Sequence, residues 1–439
     1  MEAQLKQNRT EQSLTTPPLS PVNKLDQRLC SKCRNCGAEL QKTFLDLGYS
    51  PLANSYLSTS QLNAAEKSYP LRVFVCETCL LVQLEEFESP DAIFSDYAYF
   101  SSFSTSWVEH ARRYCELMID RFGLGPQHQI VEIASNDGYL LQWFKAYGIP
   151  VLGVEPAANI AKVAWETKEI DSIVKFFGLQ TAHEMVADGR RADLLLGNNV
   201  LAHVPNVHDF VGGMKVLLSP KGIITMEFPH LQDLIEENQF DTIYHEHFSY
   251  FSFHSVQTIF KANGLTLFDV EEIPTHGGSL RIYARHDYAE HVPISDRLHA
   301  LVEKEQTSKL DRLFAYESFW AKVKNTKYKL LRFLVDAKEQ GKAVVGYGAP
   351  AKGNTLLNYC SIGCDFIDYT VDRSPYKQGL FLPGSHIPIH HPEMLRQTKP
   401  DYLLILPWNL KHEIIEQTSF IREWGGKWVI PIPEATIIE

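Results

Sequence analysis

Long apolar runs are missing from this 439-residue sequence. No stretch approaches the roughly 20 apolar residues of a membrane-spanning helix, and the first thirty residues lack the charged start and apolar centre of a secretory signal. Basic charge is also in short supply, because 42 lysines and arginines stand against 53 aspartates and glutamates, for a formal charge of −11. No basic run is long enough to follow a phosphate backbone. These absences predict a cytoplasmic protein without a membrane or nucleic-acid partner.

Cysteine is scarce, and the few cysteines are clustered. Eight in a chain of this length are too few for a disulfide scaffold. Two Cys-x2-Cys pairs stand out, Cys33 with Cys36 and Cys76 with Cys79. Two such pairs supply four thiolates to one tetrahedral Zn²⁺, and a site closed by four thiolates leaves no open position for chemistry. We predict a structural zinc on these four residues, with Cys30 unused; four unrelated core cysteines are the alternative.

The length exceeds what one hydrophobic core usually serves, which predicts several domains. Residues 1–28 are rich in Gln, Ser, Thr, Asn and Pro and are expected to form a disordered tail. A zinc-binding lobe and its linker are expected over residues 29–105. Alternating strand and helix patterns then predict one α/β domain over residues 106–292 and a second over residues 293–439.

The first α/β domain opens with an apolar strand and a polar turn. The strand from residue 129 runs into Ser135-Asn136-Asp137-Gly138, and a second strand ends at Glu155 about twenty residues later. This order is the mononucleotide-binding half of a doubly wound sheet, in which the acidic residue after the second strand accepts ribose hydroxyls. The turn lacks the Gly-x-Gly-x-x-Gly that lets backbone approach a pyrophosphate, and its acidic side chain would repel phosphate but accept a cation.

A ligand with an adenosine ribose, no phosphate and positive charge is S-adenosylmethionine. The remaining strands are expected over residues 170–177, 192–198, 222–230, 265–270 and 279–284. Together they complete a seven-stranded sheet of the class I methyltransferase type, whose ligands bind at the carboxyl ends of the strands. The residues expected to bind the cofactor are Glu132, Ser135, Asn136, Asp137, Gly138, Glu155, Pro156 and Asn199.

Residues 240–251 hold two imidazoles, two carboxylates and two phenols among apolar neighbours. Such groups are costly to bury without partners, so their density indicates a site. The strands before this span and before His203 end at the same sheet edge, so His203 and His247 are expected to face one crevice. Metal ligation by His245 and His247, or imidazoles satisfied structurally at a domain interface, are the alternatives.

Residues 343–355 repeat the order of a strand, a glycine turn and a helix, which predicts a second Rossmann-like domain. Lys352 makes this turn basic, and Lys352 and Asn354 are expected to bind the substrate there, with phosphate on the lysine and nearby amides. A purely structural turn is the alternative. A nicotinamide oxidoreductase is disfavoured, because the first turn lacks phosphate-binding glycines and the second lacks an obvious acidic ribose partner.

In combination these motifs resemble the sugar C-methyltransferases of deoxysugar biosynthesis. The matching parts are the four-cysteine lobe, the methyltransferase sheet with Tyr-His-Glu-His after its fifth strand, a Gly-Gly-Ser-Leu-Arg strand, and a second lobe that opens Gly-Tyr-Gly-Ala-Pro-Ala-Lys-Gly. The likeness covers roughly residues 30 to 435. It implies methyl transfer from S-adenosylmethionine to carbon 3 of a nucleotide-linked 4-keto-6-deoxyhexose, typically a thymidine diphosphate sugar.

The resemblance also implies residue roles. The histidine that closes the Tyr-His-Glu-His run is the family's base, and the tyrosine of the linker falls on Tyr99 or Tyr97. The residues given catalytic roles are His247, Tyr244, Glu246, His203 and Tyr99, and those given to the substrate include Tyr97 and His245. A neutral imidazole suits proton removal from a carbon beside a ketone, and phenol or imidazole donors would stabilise the enolate. The rival functions are an O- or N-methyltransferase and a noncatalytic, nucleotide-binding zinc scaffold.

Overall fold

The computed structural model describes residues 32–94, 100–289 and 292–439. The expected tail over residues 1–28, the unused Cys30 and the linker residues Tyr97 and Tyr99 lie outside these ranges. Within them, no helix is both long enough and apolar enough to cross a membrane.

The strands in the described ranges form three sheets. In chain order they are β1 (Lys42–Ser50), β2 (Tyr69–Val75), β3 (Val82–Leu84), β4 (Ile130–Ile133), β5 (Val151–Val154), β6 (Ser172–Ile173), β7 (Ala192–Asn198), β8 (Leu218–Pro229), β9 (Ser249–Tyr250), β10 (Leu265–Ile273), β11 (Ser279–His286), β12 (Val344–Tyr347), β13 (Thr370–Val371), β14 (Ile389–His390), β15 (Tyr402–Ile405), β16 (Lys427–Ile430) and β17 (Thr436–Ile438).

The α-helices of the same ranges are α1 (Pro90–Phe94), α2 (Thr105–Phe122), α3 (Leu141–Ala146), α4 (Ala158–Lys168), α5 (Leu179–Ala187), α6 (Val207–Leu217), α7 (Leu231–Glu236), α8 (Phe253–Ala262), α9 (Asp296–Thr307), α10 (Phe319–Glu339), α11 (Ala351–Cys360), α12 (Met394–Thr398) and α13 (Lys411–Gln417). Short 3₁₀ turns at Ser101–Phe103, Phe240–Thr242, Thr275–Gly277 and Trp408–Leu410 border the site described below.

The central sheet has the strand order β10-β11-β8-β7-β4-β5-β6. The strands from β8 to β6 in this order are parallel, and β11 runs antiparallel to both β8 and β10. β4 and β7 are rich in Ile, Val and Leu and almost entirely buried, as expected of strands with helices on both faces. The seven-stranded class I methyltransferase sheet predicted from the sequence is confirmed.

One edge strand of the central sheet is shorter than predicted. Residues 170–177 contribute only the two residues of β6. Phe176 turns outwards, with 38% of its surface exposed, and Phe177 packs edge-on against Phe210 of α6. β6 is an edge strand with β5 as its one partner, and the chain beyond it packs on α6 through Phe177.

The C-terminal sheet has the order β14-β13-β12-β15-β16-β17, and its strands are parallel up to the antiparallel β17. The glycine turn after β12 leads directly into α11. Strand, turn and helix in this order make a Rossmann-like unit, so the predicted second Rossmann-like domain is present.

The N-terminal sheet is antiparallel, with the order β1-β2-β3-β9. Its first three strands belong to the zinc lobe, residues 32–94, whereas β9 lies just after His247 and pairs with β3. Phe248 N donates to Ala202 O at 2.7 Å, and Leu84 N donates to Phe248 O at 3.0 Å. The span that follows His247 is therefore held between the zinc lobe and the central domain.

The zinc lobe and the C-terminal domain share one hydrophobic core. Side chains of β1 to β3 join those of α10, β12 and β15 in it. Phe44 stacks on Phe319 with ring centroids 5.0 Å apart, a contact that contributes about 0.5–1.5 kcal/mol beyond the buried area. Residues 240–251 are thus bordered by three domains that pack on one another.

Candidate active site

Four cysteine sulfurs come together in the zinc lobe. The Sγ atoms of Cys33, Cys36, Cys76 and Cys79 lie within 4.8 Å of one another, and the pairs Cys33–Cys79 and Cys36–Cys76 are 3.5 Å apart. Thiolates that share a tetrahedral zinc at about 2.3 Å lie about 3.8 Å apart. Gln83 Nε2 donates to Cys33 Sγ at 3.1 Å, which supports a thiolate. The four predicted ligands therefore fit a structural Zn²⁺.

The turn after β4 folds tightly at the carboxyl edge of the central sheet. Ala134, Asn136 and Gly138 have positive φ angles of 56°, 50° and 73°. Glu155, directly after β5, holds this turn: its Oε2 accepts from Asn136 N and its Oε1 accepts from Ala157 N, both at 2.9 Å. The expected ribose partner therefore also fixes the backbone of the expected cofactor turn.

The side chains of that turn hold the segment before α2. Asn136 Oδ1 accepts from Ser101 N at 2.9 Å, and Asp137 Oδ2 accepts from Ser102 N at 3.2 Å. Lys168 of α4 donates to Asp137 O at 2.8 Å and lies 4.0 Å from Asp137 Oδ2. Part of the positive charge expected beside Asp137 is thus supplied by the protein itself.

Four carboxylates gather at this edge of the sheet. Burial, followed by the charges of Asp137, Glu155 and Glu227, raises the pKa of Glu132 well above its usual value. Glu132 Oε2, Asp137 Oδ1 and Ser135 Oγ are buried without a hydrogen-bond partner in the described ranges. A cationic ligand would stabilise such a cluster. This donor set fits S-adenosylmethionine, and the residues predicted to hold it stay Glu132, Ser135, Asn136, Asp137, Gly138, Glu155 and Pro156.

Glu227 belongs to a buried network that sequence reasoning missed. Arg281 Nε donates to Glu227 Oε1 at 2.7 Å, and His110 Nε2 lies 2.9 Å from Glu227 Oε2. Burial alone would raise the pKa of Glu227, but Arg281 and His110 lower it below the usual value. Asn199 N donates to Glu227 O at 2.8 Å, so this network reaches the cofactor edge. The sequence did contain a signal for this network. Arg281 ends the Gly-Gly-Ser-Leu-Arg motif of β11, and Glu227 lies opposite it on β8.

Gly153 of β5 offers a first test of the cofactor turn. A Cβ at this position would lie 2.3 Å from Ser135 Oγ and 2.5 Å from Ser172 Oγ. Since overpacking costs about 1–3 kcal/mol, we expect Gly153→Ala to displace Ser135 and weaken S-adenosylmethionine binding by about tenfold or more. Calorimetric titration measures the dissociation constant. Gly363→Ala, where a Cβ meets nothing closer than 3.3 Å, is the control, and equal affinity in both variants would contradict the placement of the cofactor.

His247 is the partly exposed imidazole of the Tyr-His-Glu-His span. Its Nδ1 lies 2.8 Å from Thr242 O, and because a carbonyl can only accept, Nδ1 carries the proton. Burial, and then the nearby His203, lower the pKa of His247 well below 6.5. At neutral pH the ring is therefore uncharged, with an unprotonated Nε2.

Tyr244 and His203 pack on His247, with ring centroids 4.0 Å and 4.7 Å away. Burial lowers the pKa of His203 to about 4, so this ring is also neutral. Its hydrogen-bond partner is the backbone carbonyl of Glu246, and its Nδ1 has no partner in the described part of the chain. The Glu246 carbonyl lies beside this ring, and donation from His203 to an enolate stays a prediction.

Glu246 and His245 face the zinc lobe. Asn54 Nδ2 donates to Glu246 Oε1 at 2.7 Å. His245 Nε2 donates to Pro70 O at 3.1 Å, and its ring meets Tyr69 edge-on. Because both side chains are buried against this lobe, the structure corrects the expected contact of His245 with the substrate: His245 is an interface residue.

Asn354 and Lys352, which are expected to bind the substrate at the second glycine turn, contact other parts of the protein. Asn354 is buried and donates from Nδ2 to Ala53 O at 2.6 Å, which ties α11 to the zinc lobe instead of exposing the amide to a substrate. Lys352 Nζ donates to Asn409 Oδ1 at 3.0 Å and lies 4.6 Å from the centre of the Trp408 ring. Lys352 therefore points inwards between elements, away from an open phosphate-binding turn.

A cleft of about 380 Å³ separates the central and C-terminal domains. Trp107 and His276 line it from the central domain, and Arg373 and Lys377 line it from the C-terminal domain. Asn199 Nδ2 donates to His276 Nε2 at 2.8 Å, so Asn199 meets this cleft through His276. Sequence reasoning noted the glycines after His276 but missed the imidazole, although a histidine before two glycines at the ligand edge was a usable signal.

Asp372 corrects the expectation that the second glycine turn has no acidic partner. It directly follows β13, which lies beside β12. Its Oδ2 accepts from Ala349 N at 2.7 Å, just as Glu155 accepts from Asn136 N in the central domain. The two Rossmann-like domains therefore fix their first turns by the same device.

Three family models match successive parts of the chain. They are described as "Putative zinc binding domain" over residues 33–94, "Methyltransferase domain" over residues 107–270 and "C-methyltransferase C-terminal domain" over residues 274–433. Among curated proteins, C-methyltransferase NovU from Streptomyces niveus is 35% identical over 411 residues, which cover 94% of this chain and 97% of that protein.

Solved structures match less of the chain. The PH0226 protein from Pyrococcus horikoshii OT3 is 14% identical with a TM-score of 0.35, covering 46% of this chain and 99% of its own. Magnesium protoporphyrin IX methyltransferase from Synechocystis, solved with bound SAM, is 13% identical with a TM-score of 0.31, covering 40% and 78%. The relative that spans nearly the whole sequence is decisive: this chain belongs to the S-adenosylmethionine-dependent C-methyltransferases.

Proposed function

We propose that the enzyme methylates a sugar carbon beside a ketone, at carbon 3 of a nucleotide-linked 4-keto-6-deoxyhexose, with His247 as the base. The observation that carries this proposal is the state of His247. Thr242 O holds the ring proton on Nδ1, and the half-buried ring stays neutral, so Nε2 has a lone pair available for a proton from carbon.

Carbon becomes nucleophilic only after a proton has left it. His247 Nε2 takes that proton, the electrons of the carbon–hydrogen bond form a double bond, and the carbonyl pair moves onto oxygen. When bound, S-adenosylmethionine supplies an electrophilic methyl group that bonds to this carbon as the methyl–sulfur bond breaks and the ketone re-forms. Thr242 O stabilises the imidazolium that His247 becomes, because it keeps its hydrogen bond from Nδ1.

The cleft supports a nucleotide-linked sugar as the substrate. Its volume of about 380 Å³ is within the range of small-molecule sites. Arg373 and Lys377 line the cleft and offer cationic donors of the kind that bind a diphosphate. Phe100 and Phe103 also line it and offer aromatic surface for a base. A thymidine diphosphate sugar, as the family resemblance implies, is the first substrate to test.

The test is the structure of the product. We expect incubation with ¹³C-methyl S-adenosylmethionine and thymidine diphospho-4-keto-6-deoxyglucose to yield a methyl group on a carbon without hydrogen. Carbon 3 and carbon 5 both flank the ketone, and long-range proton–carbon NMR correlations distinguish them. A methyl group on oxygen or nitrogen would replace this proposal by an O- or N-methyltransferase, and no affinity for the cofactor would favour a noncatalytic scaffold.

Proton abstraction can be tested apart from methyl transfer. We expect the ring proton beside the ketone to exchange with deuterium from D₂O when S-adenosylhomocysteine, which has no methyl group to give, fills the cofactor site. Mass spectrometry of the recovered sugar nucleotide measures this exchange. A wild-type enzyme that forms the carbon-methylated product but never exchanges would contradict abstraction before transfer.

A further inference from the structure

Lys352 and His247 are attached to the same short segment. Lys352 lies in the first turn of α11, and Thr355 of this helix donates from Oγ1 to Ile243 O at 3.0 Å. The residue before Ile243 is Thr242, whose carbonyl fixes the Nδ1 proton of His247. The start of α11 is thus anchored one residue from the group that sets the tautomer of the base.

The ammonium group of Lys352 contacts two residues of the C-terminal domain, Trp408 and Asn409. Its Nζ lies 4.6 Å from the centre of the Trp408 ring and donates to Asn409 Oδ1 at 3.0 Å. Trp408 Nε1 in turn donates to the buried Asp241 Oδ2 at 2.6 Å. In the described ranges Asn409 is the one hydrogen-bond acceptor of Nζ, so this ammonium retains further donors.

The same tryptophan packs against the turn that holds His276. A Cβ on Gly277, next to His276, would lie 2.6 Å from the Trp408 ring. This turn therefore packs closely on the tryptophan that contacts Lys352. Enclosure by protein lowers the pKa of Lys352, and Asp241 opposes this effect. After the effect of burial, the charge of Lys352 contributes to lowering the pKa of both His247 and His276.

The proposed reaction creates a negative charge on the ketone oxygen, which needs a hydrogen-bond donor or a cation beside it. Burial keeps the His203 ring neutral, and the Glu246 carbonyl lies beside it. The carboxyl groups of Asp241 and Glu227 are both buried and would oppose a new oxyanion. A fixed cation with free N–H groups is the element that such a site requires.

We propose that Lys352 is a catalytic residue that the C-terminal domain contributes: its ammonium donates a hydrogen bond to the ketone oxygen of the substrate and stabilises the enolate as His247 removes the carbon-bound proton. No proton leaves Lys352, and the oxygen returns to a neutral ketone when the carbon–methyl bond forms. This inference rests on the proposed carbon methylation through an enolate. It gives Lys352 a different role from the binding of phosphate.

Lys352→Met tests this role, because it removes the positive charge and leaves a side chain of similar length. We expect kcat to fall by about 100-fold or more, in line with the loss of one oxyanion donor, while the affinity for S-adenosylmethionine stays within about twofold. Deuterium exchange in the presence of S-adenosylhomocysteine should fall to the same extent. Without the cation the pKa of His247 rises, so the acid limb of kcat/KM should move to higher pH. Lys352→Arg should retain more exchange than Lys352→Met.

Two further variants make the test complete. Lys342→Met is the matched control. Lys342 lies in the same domain and pairs with Asp401 at 2.9 Å, so this variant should keep wild-type rates of methylation and of deuterium exchange. Asn409→Asp keeps Lys352 but puts a carboxylate 3.0 Å from Nζ, so it should lower kcat and exchange even if Lys352→Met fails to fold.

The outcomes separate the two proposals. If wild type neither exchanges nor methylates carbon, the proposed function falls and the role of Lys352 falls with it. If wild type exchanges and Lys352→Met exchanges at the same rate but with a raised KM for the sugar nucleotide, Lys352 binds phosphate and this inference alone is overturned. If Lys352→Met fails to fold, wild-type rates of methylation and exchange in Asn409→Asp would overturn the proposed role of Lys352.

Discussion

Replacement of His247 by Asn is expected to lower turnover by about 10²- to 10⁴-fold, the usual contribution of a general base. The asparagine amide can still donate to Thr242 O, which holds His247 Nδ1 at 2.8 Å, but it has no basic nitrogen in place of Nε2. The cofactor turn lies on other elements, so the dissociation constant for S-adenosylmethionine should remain within about twofold. Single-turnover assays and calorimetric titration measure the two quantities.

The pH dependence of the wild-type enzyme provides a second readout of the same residue. Because enclosure lowers the pKa of His247 well below 6.5, the basic form predominates at neutral pH, and activity is lost only as the pH falls through that lowered pKa. We therefore expect the acid limb of kcat/KM to lie below pH 6.5. His183→Asn, on the exposed face of α5, is the matched control and should keep the wild-type profile. Substantial carbon methylation by His247→Asn would remove His247 from the role of base.

Features encoded by local spacing could be predicted from the sequence. The two Cys-x2-Cys pairs need only a short turn each to direct two thiolates to one point, and their sulfurs do meet within 4.8 Å. The acidic residue after β5 is similarly tied to the turn after β4 by strand order alone. In both places the partners are set by the chain's own geometry, and a single sequence contains that information.

The orientation of the Tyr-His-Glu-His side chains could not be predicted in the same way. The partner of His245 is the carbonyl of Pro70, 175 residues earlier, and Glu246 accepts a hydrogen bond from Asn54, 192 residues earlier. The strand that follows His247 joins the zinc-lobe sheet, where sequence order alone would leave it with the central sheet. Lys352 is another such case, since its surroundings come from Trp408 and Asn409. The chemical role of a residue at a domain interface depends on partners that are distant in sequence, and a local sequence pattern does not identify them.

These interface contacts connect the zinc lobe to the residues that are proposed to act on the substrate. The zinc lobe contributes Asn54 to Glu246, the Ala53 carbonyl to Asn354 of α11, and β3 to the strand after His247. Each contact lies within a few residues of the proposed base, His247, or of Lys352, which is proposed to stabilise the enolate. An ion that never touches the substrate can therefore determine whether these groups are held in register.

Loss of the zinc site is accordingly expected to abolish activity by unfolding the zinc lobe. A structural zinc contributes about 10–16 kcal/mol in small zinc-binding peptides, as much as or more than the stability of a typical domain. We expect Cys76→Ser, at a fully buried ligand, to remove amide protection from β1 to β3 and from β9, and to lower carbon methylation in parallel. Hydrogen–deuterium exchange measured by mass spectrometry follows each strand. Cys364→Ser, at an exposed cysteine of the C-terminal domain, is the control.

Metal replacement decides whether the ion has any chemical part. Wild-type protein stripped by a chelator and reloaded with Zn²⁺, Cd²⁺ or Co²⁺ should recover activity in proportion to the recovered protection of β3 and β9, since four thiolates leave no position open for a substrate. Activity that differed between ions at equal protection would require an open coordination site and would contradict a structural role. Full activity in the stripped protein would instead show that the contacts of Asn54 and Ala53 do not depend on the ion.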